Sequence, residues 1–236
     1  MTKAALDQLA QVRLTAAAVI PAYREEKHVG DIARRTRLQL DHVLVVDDGS
    51  NDQTARRARE AGAEVIVHNQ NRGKGEAIKT GLRHWLDRQF TSVIILDADG
   101  QHLPEEIDRF IAAAATAAAP SFFLGNRMKN LAGMPLIRRV VNRCMSGQIS
   151  RLCGQIIPDT QCGFRMLDWQ LISELLGPES VRGFDYETEM LIIASRKGFR
   201  IESIPITTVY SDEVSNIRPV RDAIRFFKLM RRYRRL

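Results

Sequence analysis

The sequence predicts an α/β fold, a doubly wound and mostly parallel sheet flanked by helices. Three observations predict it. Short β-rich apolar runs alternate with longer helical stretches as far as about residue 125. The chain has 236 residues, 44% hydrophobic and 27% charged, enough to bury a sizeable core. Clusters of acidic, aromatic and glycine residues directly follow the strands, where the loops of such a sheet gather.

Runs 17–20, 43–46, 65–67, 93–96 and 122–124 are continuous apolar stretches, the signature of parallel strands covered on both faces. Helices are expected between them at 26–38, 52–61, 75–90 and 104–119. Ser50 or Asn51 can cap the second, and Pro104 is placed like a first-turn proline. Beyond 125 come a helix at 137–152, an irregular segment at 158–164, a helix at 185–197 and a strand at 201–206. No linker, repeat or low-complexity tract interrupts the chain, so residues 1–236 read as one domain.

The formal net charge of +7 comes from 35 basic and 28 acidic residues. Eight of the basic residues and one of the acidic lie in 218–236, leaving 27 of each before it. A neutral body with a basic tail is a poor match for a nucleic-acid binder, and no recognisable module of that kind precedes the tail. Val220, Ala223, Ile224, Phe227 and Met230 recur at helical spacing, so 218–236 reads as a basic amphipathic helix. Such a helix suits an anionic membrane surface, or packs its apolar stripe on the body with its arginines solvated. The longest apolar stretch, 111–124, is broken by Thr116, Pro120 and Ser121, too early for a membrane span. Residues 1–14 lack the continuous apolar segment of a signal peptide, which points to the cytoplasm. Cys144, Cys153 and Cys162 form no CxxC and read as reduced thiols.

Three polar clusters end three strands: Pro21 to Glu26, Asp47 to Asp52 and Asp97 to His102. Turn chemistry alone explains any one of them, but three at one sheet edge suggest a site. Asp97 and Asp99, one residue apart, can reach a common hard cation such as Mg2+ or Mn2+, or simply cap a turn before Pro104. The loop Asn71-Arg72-Gly73-Lys74-Gly75 opens a helix and can cradle an anion with its amides. It lacks the spacing of a Walker loop, and no GxGxxG follows the first strand. The histidines are scattered, although His102 adjoins Gln101. Asp185, Glu187 and Glu189 suit a helix start, where acids favour the dipole. Trp85 and Trp169 read as packing residues.

The strings AVIPAYREE (18–26), VVDDGSNDQT (45–54), NRGKGEAIKTGL (71–82), ILDADGQH (95–102), GNRM (125–128) and DTQCGFRML (159–167) resemble the family 2 glycosyltransferases of the GT-A fold. The likeness is strongest to the branch that acts on polyprenyl phosphates, typified by dolichyl-phosphate mannose synthase. It implies that Pro21, Ala22, Tyr23 and Glu25 contact the nucleotide, with Val46 and Asp47 or Asp48 around base and ribose. Asp97, Ala98, Asp99 and Gln101 match the metal and diphosphate motif, with Lys74 on the donor side. Arg127 matches an arginine that meets phosphate, although Asn126 stands where the family has serine. Asp159 to Arg165 matches a segment beside the acceptor, and Arg218 stands near a Ser-Lys motif whose lysine is missing.

The resemblance implies transfer of a hexose, with inversion, from GDP-mannose or UDP-glucose to a polyprenyl phosphate at the cytoplasmic membrane face. Residues 16–125 would serve the nucleotide sugar, 126–217 the acceptor and 218–236 the membrane. A phosphate acceptor is already anionic, so Arg127 and Arg165 would position it without a base. A sugar hydroxyl would instead need a base, with Asp159, Asp185 or Glu187 as candidates. A non-catalytic nucleotide-sugar or membrane-surface binding module is the remaining alternative, against which the intact Asp97/Asp99 pair argues.

Overall fold

A computed structural model describes residues 2–129, 134–177, 186–209, 231 and 233. Its strands are β1 (Ala16–Ala22), β2 (Val43–Asp47), β3 (Glu64–Val67), β4 (Ser92–Ile95), β5 (Ser121–Asn126), β6 (Arg165–Asp168) and β7 (Arg200–Pro205). They form one sheet in the order β3-β2-β1-β4-β6-β5-β7. Every neighbouring pair is parallel except those of β6, which runs antiparallel between β4 and β5. The helices are α1 (Lys3–Leu14), α2 (Val29–Arg37), α3 (Thr54–Glu60), α4 (Lys74–Leu86), α5 (Ile107–Thr116), α6 (Leu136–Cys153), α7 (Trp169–Leu175) and α8 (Tyr186–Arg196). The mostly parallel α/β sheet expected from the sequence is therefore present, but it is mixed.

All residues of β1, β2 and β4 are buried, as their unbroken apolar runs require. The alanines of β1 leave room for α4, whose Trp85 is fully buried and donates Nε1–H to the Ala18 carbonyl at 3.0 Å. Trp169, expected to pack, stands partly exposed at the start of α7. Helix α3 begins later than expected: Asp52, rather than Ser50 or Asn51, accepts from the Thr54 amide at 3.0 Å. Pro104 opens a short 3-10 turn, Pro104–Glu106, ahead of α5, much as its first-turn placement suggested.

Three elements were not legible. Helix α1 buries no residue fully and only Leu9 and Val12 pack partly on the core, so its apolar face is too thin to read. Strand β6 has only four residues, begins with Arg165 and ends with Asp168, a charged frame that hides two buried core positions. Helix α7 follows it directly, capped by Asp168, whose side chain accepts from the Gln170 amide at 2.8 Å.

Of the expected tail helix, Arg231 and Tyr233 alone are among the described residues; Arg218 lies outside them. Tyr233 is buried against α8, its hydroxyl donating to Glu189 Oε1 at 3.2 Å and its carbonyl accepting from Arg196 Nη2 at 2.7 Å. Among the described residues, no helix is long and apolar enough to cross a membrane.

Candidate active site

Because β1, β2 and β4 are parallel, their carboxyl ends open on one edge, and the three polar clusters meet there. After β1 the chain turns sharply at Arg24, a non-glycine residue with φ 60°. The Arg24 amide donates to Ser50 Oγ and the Glu25 amide to Thr54 Oγ1, both at 2.9 Å, which ties this loop to the one after β2. Tyr23 is exposed at the edge, with the Arg24 guanidinium 5.1 Å from its ring centre. Pro21 and Ala22 are buried in the strand.

Asp48 is a structural hub. Its carboxylate accepts from the amides of Arg72 at 2.9 Å and Gly73 at 2.7 Å, and contacts His68 Nδ1 at 2.7 Å. Two amides expected to cradle a ligand anion at the start of α4 are thus already bound to an internal one. Asp47 is likewise engaged, accepting from the Ser50 amide at 2.9 Å. Val46 is fully enclosed in β2, so its side chain is closed to a nucleotide, contrary to expectation.

Lys74, the first residue of α4, reaches into the centre of the edge. Its Nζ lies 2.7 Å from Asp97 Oδ1 and 3.1 Å from Glu187 Oε2. Burial works against the lysine charge, but the two carboxylates outweigh it and raise the pKa. Burial would also raise the Asp97 pKa; Lys74 and, further off, Arg165 hold it below the usual carboxylate range. Asp97 Oδ1 is buried with no hydrogen-bond donor aligned on it, so the lysine contact is an ion pair rather than a well-directed bond. An acidic oxygen in that state, already matched to a cation, fits a divalent metal. Asp99 Oδ1 accepts from the Gln101 amide at 3.0 Å, turning the chain beside Asp97. Among the described residues, no three His, Cys, Asp or Glu side chains converge into a complete cage. Magnesium sites completed by phosphate oxygens commonly use one or two carboxylates, which Asp97 and Asp99 could supply.

The other wall is residues 159–164. Asp159 is 0% exposed and is clamped by Arg127, whose Nε and Nη2 donate to Oδ2 and Oδ1 at 2.8 and 2.9 Å. Asn142 of α6 donates to Asp159 Oδ1 at 2.7 Å, and Ser146 Oγ accepts from the Thr160 amide at 2.9 Å. Burial would raise the Asp159 pKa, but the Arg127 and Asn142 bonds lower it on balance. Arg165 is a correction. It was expected to meet an acceptor phosphate, yet it is 1% exposed and donates to the carbonyls of Cys162, Thr160 and Glu187. Its charge is spent on holding the 160–162 turn.

Sequence reasoning overlooked Asn142, placed Gly163 only within the 159–165 segment, and read Glu187 as a helix-start acid or a candidate base. An added Cβ at Gly163 would stand 2.2 Å from Asp97 Oδ2. Asn142 and Ser146, one helical turn apart, were a readable signal of a polar inner face on α6. His102 sits behind Asp97, its Nδ1 accepting from the Asp97 amide at 3.4 Å. Burial is the largest influence on it and pushes its pKa down to about 4, so it is neutral at pH 7.

The thiols give a direct check on this packing. Burial raises Cys153 to about 11 and Cys162 to about 12, whereas Cys144 is exposed. A disulfide exchange reagent at pH 8 should titrate one thiol, Cys144, in the native protein and three after unfolding. Rapid modification of Cys162 in the native protein would contradict the described packing around Gly163.

The model of the family described as glycosyl transferase family 2 matches residues 17–176. A UDP-N-acetylglucosamine–dolichyl-phosphate N-acetylglucosaminyltransferase from Methanococcus voltae is 31% identical, over 82% of this chain and 85% of its own. A polyprenol monophosphomannose synthase from Mycolicibacterium smegmatis is 28% identical, over 80% and 75%. The crystal structure of Mycobacterium tuberculosis glucosyl-3-phosphoglycerate synthase superimposes with a TM-score of 0.67 at 17% identity, over 94% of this chain and 84% of the other. That last likeness concerns the fold, which is of the GT-A kind. The chain belongs to glycosyl transferase family 2 and is a glycosyltransferase.

Proposed function

We propose that this enzyme transfers a hexose, with inversion, from a nucleotide-diphosphate sugar such as GDP-mannose or UDP-glucose to a polyprenyl phosphate. An acceptor phosphate oxygen bonds to the anomeric carbon as the bond from that carbon to the diphosphate breaks, and the nucleoside diphosphate leaves with the electron pair. The M. voltae and M. smegmatis relatives, named for dolichyl-phosphate and polyprenol-phosphate chemistry, support the acceptor class.

The observation that carries the lipid reading is the inverted polarity of α6. Its polar Asn142 and Ser146 face inward to Asp159 and Thr160. Its aliphatic Leu136, Ile137, Val140 and Val141 face out, 73%, 70%, 59% and 47% exposed. The helix carries Arg138, Arg139, Arg143 and Arg151 and no acid. An aliphatic and cationic outer face, on the helix whose inner face holds Asp159, the partner of Arg127, suits a lipid chain with a phosphate head. The rival hydroxyl acceptor needs a base: of the three candidates, Asp159 is clamped by Arg127 with its pKa lowered, Glu187 is paired with Lys74, and Asp185 lies outside the described residues.

In this reading residues 16–125 serve the donor and 126–217 the acceptor. Tyr23 and Glu25 line the nucleotide side, Lys74 meets the diphosphate, and Arg127 presents the acceptor phosphate. Asp97 and Asp99, with Gln101 beside them, would hold Mg2+ or Mn2+, which when bound offsets the charge developing on the leaving diphosphate. The protein works peripherally on the cytoplasmic membrane face, with α6 toward the lipid.

Incubation with labelled GDP-mannose, UDP-glucose or UDP-N-acetylglucosamine and vesicles containing polyprenyl phosphate should move label into extracted lipid, and Asp97→Asn should abolish it. Label reaching only water or a soluble sugar would discard the lipid acceptor. Ile137→Asp with Val140→Asp should leave the melting temperature intact, since both positions are exposed. It should lower co-sedimentation with anionic vesicles about tenfold. Undiminished vesicle binding by the double variant would remove α6 from the membrane contact.

A further inference from the structure

Lys74 and Glu187 form a contact that donor binding alone does not require. The ammonium lies between carboxylates from two separate places, Asp97 after β4 and Glu187 in the first turn of α8. Asp97 is bounded on one side, and the backbone that carries Lys74 is held in place. Gly163 closes on Asp97 Oδ2, as the 2.2 Å approach of an added Cβ there shows. The residues before Lys74 are pinned by the Asp48 bonds to the Arg72 and Gly73 amides, 2.9 and 2.7 Å. What remains adjustable is the unbranched lysine stem, which is partly exposed.

A monovalent ammonium and a divalent cation compete for the same oxygens. We propose that Lys74 is an exchangeable counterion. In the donor-free enzyme it neutralises Asp97 and Glu187, and it moves onto the phosphate oxygens when nucleoside diphosphate and divalent cation enter. The inference rests on the reading that Asp97 carries the cation. Its consequence is coupling: the nucleotide removes the lysine that opposes the metal, and the metal releases the lysine that the nucleotide attracts. By linkage the two effects are equal. The enzyme is thereby protected from loading metal without donor, and Glu187 is a positioning residue that sets how firmly the lysine is held.

Equilibrium dialysis of Mn2+ against the full chain, with or without UDP or GDP at equal concentration on both sides, tests this without a turnover readout. In the unaltered protein, nucleotide should tighten Mn2+ binding by about tenfold or more. Lys74→Met should bind Mn2+ alone about tenfold tighter than the unaltered protein, and the tightening by nucleotide should shrink about tenfold, to the share that the phosphate oxygens supply as metal ligands. Lys74→Gln, checked with Lys74→Met for an unchanged melting temperature, guards against a folding artefact. Unchanged Mn2+ affinity in both lysine variants, or full coupling surviving in them, would overturn the exchange while leaving the metal site standing. If Asp97→Asn costs no Mn2+ affinity in the presence of nucleotide, the metal site itself is misplaced and the exchange falls with it.

Discussion

Arg127→Leu should lower the unfolding free energy by about 3–5 kcal/mol and abolish sugar transfer, because it leaves a buried carboxylate without its countercharge. Asp159 would keep the Arg127 main-chain amide at 3.0 Å and the Asn142 amide at 2.7 Å. It would lose both guanidinium bonds. Urea denaturation reads the loss directly. The double variant Arg127→Leu/Asp159→Leu should recover much of that stability and none of the activity, since no buried charge then remains. A midpoint for Arg127→Leu equal to that of the unaltered protein would show the pair to be energetically idle. The pH dependence has a defined sign. A carboxyl with a folded pKa below its ordinary value adds stability above that ordinary value and loses it as pH falls through the folded one. In Arg127→Leu burial is no longer offset by the guanidinium, the folded pKa of Asp159 rises, and its share of the acid destabilisation should shrink or reverse relative to the unaltered protein.

Gly163→Ala should reduce kcat/KM by roughly a hundredfold, the scale of a 1 Å misplacement of a catalytic group. The new methyl would have to occupy the space of the Asp97 carboxylate, with Cγ and both oxygens within 2.7 Å. The obstacle is the far end of a short side chain rather than backbone, so the fold can absorb it by rotating Asp97 away. The stability cost is then in the overpacking range of about 1–3 kcal/mol, while Asp97 is lost to both Lys74 and metal. Paired measurements of melting temperature and Mn2+ affinity separate the two effects. An alanine variant with normal metal binding would mean that Asp97 is not the ligand the site depends on.

The parallel part of the fold was legible because burial on both faces leaves only apolar letters in β1, β2 and β4. The loops that follow them were legible because short polar residues cluster where strands end. Charged residues buried for structural reasons defeated the same logic. Arg165 masked β6 because a buried arginine is rare, and the carbonyls that make it tolerable come from the separate turn at 160–162 and from Glu187 in α8. Asp48 looked like a ligand contact, but its partners are the ring of His68 and two main-chain amides, and no side-chain pattern records the amides. Glu187 looked like a helix-start acid, and its second role depends on Lys74 arriving from the far half of the chain.

The reversed direction of β6 divides the molecule into ground that can be altered and ground that cannot. Arg165 pairs with Ile95 at the reactive edge, whereas Asp168 pairs with Ser92 at the opposite one. A residue added before 165 therefore lands beside Asp97, and one added after 168 lands on the far side of the sheet. The Asp168–Trp169 backbone is tied by the Asp168 cap and by the Trp169 amide on the Thr91 carbonyl at 3.0 Å, so it is the partly exposed side chain at 169, and not the backbone, that can carry a fluorophore or an affinity handle away from the chemistry.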